Sequence, residues 1–159
     1  SSKKVGDKVS AMVAPMMINH EHPLYSVDGV FNGILVKGNM VGDVMFYGQG
    51  AGKLATASAV VSDVMDASKH VNVNINTLWD HEKLALLPLD DVTEKFFVRV
   101  SGSKAENEEK VKAAFGEVEA VDAGFEDEYG FVTKEISEGT YKKAAEQMGN
   151  VINKVRMTF

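Results

Sequence analysis

Cysteine is absent from this chain of 159 residues. That excludes disulfides, thiolate zinc sites, cysteine nucleophiles and iron–sulfur clusters, and it fits a reducing cytoplasm. Positive charge is scarce as well: 17 Lys and Arg stand against 23 Asp and Glu, for a net charge of −6. A protein that neutralises a phosphate backbone needs clustered positive charge, so nucleic acid is not an expected partner. No apolar run approaches the ~20 residues of a membrane-spanning helix, and no membrane partner is expected either. No basic, apolar, small-residue segment opens the chain, so no signal peptide is read. The first residue is Ser1, not Met, as in a piece of a longer protein. What remains is 45% hydrophobic and 25% charged, the composition of one globular domain or two small ones.

Composition divides the chain near residue 93. Met12, Met16, Met17, Met40, Met45 and Met65 precede that point, as do Pro15, Pro23 and Pro88. The later text is rich in Glu and Lys. Leu86 to Val92 reads as the linker. In the first half, Lys8 to Ala14 alternates as a strand would, apolar at Val9, Ala11 and Val13, and Pro15 ends it. Turn-rich text follows. Ile34 to Lys37, a tight turn at Gly38-Asn39, and Val41 to Tyr47 then predict an antiparallel hairpin. After Gly48-Gln49-Gly50-Ala51-Gly52, a helix is expected from about Leu54 to Lys69. Ala57, Val60, Val61, Val64 and Met65 fall on one face at helical spacing, which predicts that face to be buried.

The second half is more regular. Phe96, Val98 and Val100 alternate with Phe97 and Arg99 as a strand. Ser103 and Glu106 have the spacing of a capping box, in which each side chain satisfies an exposed amide at the helix start. The helix they open carries Val111, Ala114 and Phe115 on one face, and Gly116 supplies a stop. Glu117 to Val121 and Gly130 to Lys134 are two more strands. Ser137 caps a second helix with Tyr141, Ala144, Ala145 and Met148 inward, and Gly149 stops it. A last strand alternates Val151, Asn153, Val155, Met157 and Phe159 with Ile152, Lys154, Arg156 and Thr158. The order is βαββαβ, the ferredoxin-like split βαβ. The fold class is therefore α+β in two layers: a mixed or antiparallel sheet with helices over 1–93, then a ferredoxin-like domain over 94–159. About 66 residues bury a low fraction of their surface, so support from the first half or from another copy is expected.

The strongest local signal for chemistry is the glycine loop between a strand and a helix. Such a loop delivers unpaired helix-terminal amides to an anion or lets a ligand approach the backbone closely. Gly50, Gly52 and Ala55 match G-x-G-x-x-A. The dinucleotide fingerprint further demands a second parallel strand and an acidic residue about twenty positions on, and Val71-Asn72-Val73-Asn74-Ile75 offers no such acid. Lys53 followed by Leu54 is not a Walker A ending. Two readings stay open: a loop that touches a ligand held mostly elsewhere, and a tight structural turn. His20 and His22 form an H-x-H pair, but two ligands do not make a metal site, and no metal is expected. His70 and His81 read as structural. Glu126-Asp127-Glu128 reads as a solvated turn, Met16-Met17-Ile18 as core or interface packing, and Trp79 as a pin near the linker. No set of residues completes a catalytic site.

Longer strings carry a resemblance. His22-Pro23-Leu24, Val27-x-Gly29-x-x-Asn32, Gly38-Asn39-x-x-Gly42-x-Val44-Met45-Phe46-Tyr47-Gly48-x-Gly50-Ala51-Gly52 and Thr56-Ala57-Ser58-Ala59-Val60-x-x-Asp63 follow in one order. Over roughly Val9 to Ile75 this resembles the later part of the catalytic domain of homoserine dehydrogenase. The second half resembles the ACT-type regulatory domain that many members carry. The resemblance implies an oxidoreductase that interconverts aspartate semialdehyde and homoserine with NAD(P), on the route to threonine, methionine and isoleucine. It implies a cytoplasmic homodimer. It also implies that the cofactor domain, the catalytic Lys and the acidic residues that orient homoserine lie upstream, so no catalytic residue transfers and the chain alone is inactive. Gly48, Gly50, Ala51, Gly52 and Thr56 transfer as the residues bordering the nicotinamide end of the cofactor.

The second half departs from its pattern. ACT domains that bind amino acids place an Asp-x-x-Gly-like turn between first strand and first helix. Ser101-Gly102-Ser103-Lys104-Ala105-Glu106-Asn107 keeps the capping box without that turn, so a degenerate ACT-like domain is expected. The competing reading is a stand-alone, non-enzymatic module that binds an amino acid or a partner protein.

Overall fold

A computed structural model describes residues 1–50, 52–73, 78, 80–122 and 124–158. In chain order the strands and helices are β1 (Ser2–Val5), β2 (Lys8–Ala11), β3 (Met16–Met17), β4 (Phe31–Gly38), β5 (Gly42–Gln49), α1 (Lys53–Lys69), β6 (Ala85–Leu86), β7 (Thr93–Ser101), α2 (Lys104–Phe115), β8 (Val118–Val121), β9 (Glu128–Thr133), β10 (Ile136–Ser137), α3 (Glu138–Met148) and β11 (Val151–Met157). They form two compact units. One comprises Ser1–Ile18 with Glu82–Phe159, the other Asn19–His81.

The first unit is built on a sheet of order β3-β11-β7-β9-β8, with β10 pairing β7 off that path. The pairs β11–β7, β7–β9 and β8–β9 are antiparallel, which is the split-βαβ order predicted for 94–159. Phe96, Val98 and Val100 of β7 are fully buried, beside Val111 and Phe115 of α2, Phe131 of β9, and Tyr141 and Ala144 of α3. Phe96 meets Tyr141 with ring centroids 4.8 Å apart, and Phe115 meets Phe131 at 5.2 Å. Tilted aromatic pairs of this kind add to area burial.

Both helix starts form as expected. Ser103 N donates to Glu106 Oε2 at 2.8 Å and the reciprocal bond closes the capping box. Thr140 N donates to Ser137 Oγ at 3.1 Å. Gly116 (φ 76°) and Gly149 (φ 69°) end the two helices in backbone that side chains resist. Replacing Ser103 with Ala is expected to cost about 1 kcal/mol, read as a lower urea midpoint; an unchanged midpoint would mean that the box carries no stability.

Three features of this unit were not legible. Leu86 to Val92 is no free linker: β6 pairs in parallel with β2, Leu87 N donates to Val9 O at 2.9 Å, and Val92 is buried. β3 adds in parallel to the edge strand β11, through Met16↔Arg156 and Met17↔Met157, so the Met16-Met17 run packs by strand pairing. A bulge between Val151 and Asn153 breaks the alternation of β11. Past it, Lys154 and Arg156 stand opposite buried Val98 and Phe96 and share their face. Phe159 lies outside the described residues.

The second unit holds the β4–β5 hairpin, the glycine loop and α1. The hairpin runs from Phe31↔Gln49 to Gly38↔Gly42. Its turn is the three residues Asn39–Val41, closed by Gly42 at φ 75°, and not the pair Gly38-Asn39. No residue of α1 is buried. Val60, Val61, Val64 and Met65 are 55–62% exposed, which corrects the buried face predicted for them. The spacing identifies the apolar stripe; among the described residues nothing covers it.

Candidate functional site

The glycine loop lies in the second unit and is shorter than the sequence suggested. β5 carries Gly48 and Gln49, so only residues 50–52 separate strand from helix. Ala51 lies outside the described residues. α1 starts at Lys53, with Gly52 as its N-cap at φ 118°, ψ 150°. A side chain at 52 would be strained there, which is why glycine stands at the handover. No side chain caps the helix and its first turn has no acidic residue. The first four amides of a helix, here those of residues 52–55, have no partner inside it, and among the described residues no side chain caps them. Thr56 is the fourth helical residue, and its amide donates to Gly52 O at 3.0 Å.

The three described glycines of this stretch are glycine for different reasons. Gly52 needs its positive φ. Gly50 has no positive φ, but a Cβ there would overlap Asn32 Nδ2 and lie 3.0 Å from Asn32 Cγ. Gly48 has neither constraint: its φ is ordinary and a Cβ would meet nothing within 4 Å. The bare backbone at Gly48 therefore faces open space. Backbone open to close approach beside a helix start without a side-chain cap can admit an anionic ligand. The residues present fit the edge of a dinucleotide site, and they supply no acid, base or nucleophile.

The strings ahead of the loop assemble around it. A Cβ at Gly33 would lie 2.7 Å from Leu24 Cδ2 and 2.9 Å from Val27 Cγ2, so the His22–Val27 turn packs on β4. Phe31 stacks on Tyr47 at 4.9 Å and 6°. His22 Nδ1 accepts a bond from Leu24 N at 3.2 Å, which makes it a turn-fixing residue. Asn32, one of the residues that carry the resemblance though without a site role there, pairs with Gly48 across the hairpin. Its place against Gly50 follows from the register, which the turn length sets.

Other candidates resolve as structure. Arg99 Nε donates to Glu128 Oε2 at 2.6 Å, so one member of the acidic triplet is tied to β7. Among the described residues no group of three His, Asp or Glu side chains could hold a metal, and no helix is long and apolar enough to cross a membrane. Trp79, Asn74 and Ile75 lie outside the described residues. The Ser101–Asn107 stretch is closed on itself. Buried Asn107 donates to Ser101 O and Ser103 O, both at 3.0 Å, and accepts from Asn150 Nδ2 at 2.9 Å.

The most buried charge is Glu138, 1% exposed at the start of α3. It accepts from Lys154 Nζ at 2.7 Å and from Arg156 Nε. Burial works to raise its pKa, but the hydrogen bonds and charges of the two cations outweigh it and hold the carboxyl below its ordinary value. Tyr141 beside it is pushed up to about 12 by burial and by the Glu138 charge. These groups face the helix layer of the first unit and belong to its packing.

Comparison with known proteins adds identity to this geometry. Residues 1–65 match the family described as homoserine dehydrogenase. A homoserine dehydrogenase of Synechocystis sp. is 51% identical over 89 residues, which is 56% of this chain and 19% of that protein. One of Helicobacter pylori is 33% identical over 120 residues, 76% of this chain and 27% of that protein. Among solved structures, a homoserine dehydrogenase from Thiobacillus denitrificans superposes with a TM-score of 0.79 over 99% of this chain and 41% of its own, at 22% identity, a likeness of fold. One from S. aureus gives 0.72 over 99% and 40%, at 30% identity. The chain is thus similar to homoserine dehydrogenases, and its matches cover 14–27% of the length of the curated ones.

Proposed function

We propose that this chain is the C-terminal portion of a homoserine dehydrogenase, and that its Gly48–Gly52 loop forms the edge of the NAD(P) site nearest the nicotinamide. The observation that carries the reading is Gly48: a glycine required by neither backbone nor neighbours, ahead of an uncapped helix, in a chain similar to these enzymes. In the whole enzyme the cofactor supplies or accepts the hydride that interconverts aspartate semialdehyde and homoserine. Gly48, Gly50 and Gly52, with the amides of the first turn of α1, admit it to close backbone contact and keep side chains out of its way. Thr56 holds the first turn through its amide. The base and the main cofactor domain belong to the remainder of the enzyme, so this chain alone turns nothing over.

In this reading residues 1–93 finish the catalytic and dimerisation domain, and 94–159 form a degenerate ACT-like regulatory domain. The βαββαβ order supports the second assignment. The self-bonded Ser101–Asn107 turn leaves little free backbone for an amino acid there. The exposed apolar stripe of α1 supports burial against the rest of a homodimeric enzyme, and the absence of cysteine fits the cytoplasm. The test is turnover: the intact protein should reduce NAD(P) in a homoserine-dependent way, while residues 1–159 alone should not. An intact protein with no homoserine-dependent reduction would overturn the assignment.

A further inference from the structure

We infer that Asn32 is a positioning residue for the glycine loop, coupled to Gly50, and that this pair sets how tightly the whole enzyme holds NAD(P). The inference rests on the reading that this loop borders the cofactor.

Asn32 on β4 stands opposite Gly48 on β5. Positions 48 and 50 fall on one face of an extended strand, and the diagonal neighbour of a cross-strand pair is within reach of a side chain. Asn32 uses that diagonal. A Cβ added to Gly50 would overlap its Nδ2, and would lie 3.0 Å from its Cγ and 3.5 Å from its Cβ. The Asn32 side chain therefore occupies the side of Gly50 from which a Cβ would project. The φ of Gly50 is one that any residue adopts, so its own backbone does not require glycine. The requirement comes from Asn32. Among the described residues the Asn32 carboxamide makes no hydrogen bond, so the contact is packing. It braces Gly50, the first residue of the 50–52 connection, the point from which the loop takes its path.

The end of a short exposed side chain yields more easily than backbone. An alanine at 50 should therefore displace Asn32 and leave the hairpin standing. Gly50→Ala and Asn32→Ala then remove one and the same brace, and their effects should not add.

The experiment is steady-state kinetics on the intact dehydrogenase with Asn32→Ala, Gly50→Ala, the double variant, and Gly48→Val as a control on the loop itself. Thermal unfolding is followed in parallel. Expected is a rise of about tenfold in KM for NAD(P) in each alanine variant, equal to about 1.4 kcal/mol of lost binding. kcat and KM for homoserine should stay within about twofold, and the double variant should be no worse than Gly50→Ala. Wild-type KM for NAD(P) in Asn32→Ala, or effects that multiply to about a hundredfold in the double variant, would overturn the pairing even where Gly48→Val is impaired. No effect of Gly48→Val on NAD(P) would sink the reading of the loop beneath it. Should Asn32→Ala fail to fold, Asn32→Ser carries the same comparison.

Discussion

Replacing Glu138 with Ala is expected to destabilise the first unit by about 3 kcal/mol, the lower end of the range for breaking a buried ion pair. The carboxylate is 1% exposed, while the side chains of Lys154 and Arg156 keep 26% and 17% of their surface. Losing it strands two cations against an apolar layer. Lys154 Nζ lies 4.1 Å from the Tyr141 ring centroid and 5.1 Å from that of Phe96, so water cannot fully solvate it without opening the core. Glu138 also stands at the first position of α3, where a negative charge suits the helix dipole.

The pH dependence follows from the direction of the shift. A carboxyl held below its ordinary 4.5 favours the folded state while it is ionised. That contribution is complete above the unfolded value and fades as pH falls through the lowered folded value. Acid unfolding of the wild type should therefore steepen below about pH 4. Urea unfolding at neutral and acid pH checks both statements. A Glu138→Ala protein within about 0.5 kcal/mol of wild type, the range of ordinary surface substitutions, would show that the cluster contributes no stability.

Gly48→Val is expected to cut kcat/KM for NAD(P) in the intact enzyme about a hundredfold, a loss of about 2.7 kcal/mol in transition-state binding, without unfolding it. The backbone at 48 accepts any residue and a Cβ meets nothing, and valine suits a strand. The new side chain would fill the open space beside the loop. Gly50→Val is a poorer probe, because its side chain would also collide with Asn32 and disturb β4. Unchanged NAD(P) kinetics in Gly48→Val would remove this strand end from the site.

What could be read from sequence was what is local. Ser103 with Glu106, Ser137, Gly116 and Gly149 set the bounds of α2 and α3 through contacts a few residues apart. The two-residue period of Phe96 to Val100 gave β7. Features that depend on distant partners were out of reach. The pairing of Met16 with Arg156 joins residues at opposite ends of the chain, and periodicity is silent about it. The pairing of Glu138 with Lys154 and Arg156 was equally out of reach, because it depends on a bulge in another strand. The stripe Val60, Val61, Val64 and Met65 was visible, while its exposure was not, since spacing identifies an apolar face and says nothing of what covers it. The glycine loop was found because glycines between a strand and a helix are rare enough to notice. Asn32 was out of reach because Asn32-Gly33 reads as turn text ahead of a strand beginning at Ile34, whereas β4 begins at Phe31 and carries Asn32 opposite Gly48.

Amide hydrogen exchange of the intact protein, with and without saturating NADPH, tests the loop most directly. Slower exchange is expected across residues 48–56 on cofactor addition. Protection confined to other parts of the enzyme, with 48–56 exchanging as in the free protein, would contradict a cofactor-bordering role for the loop.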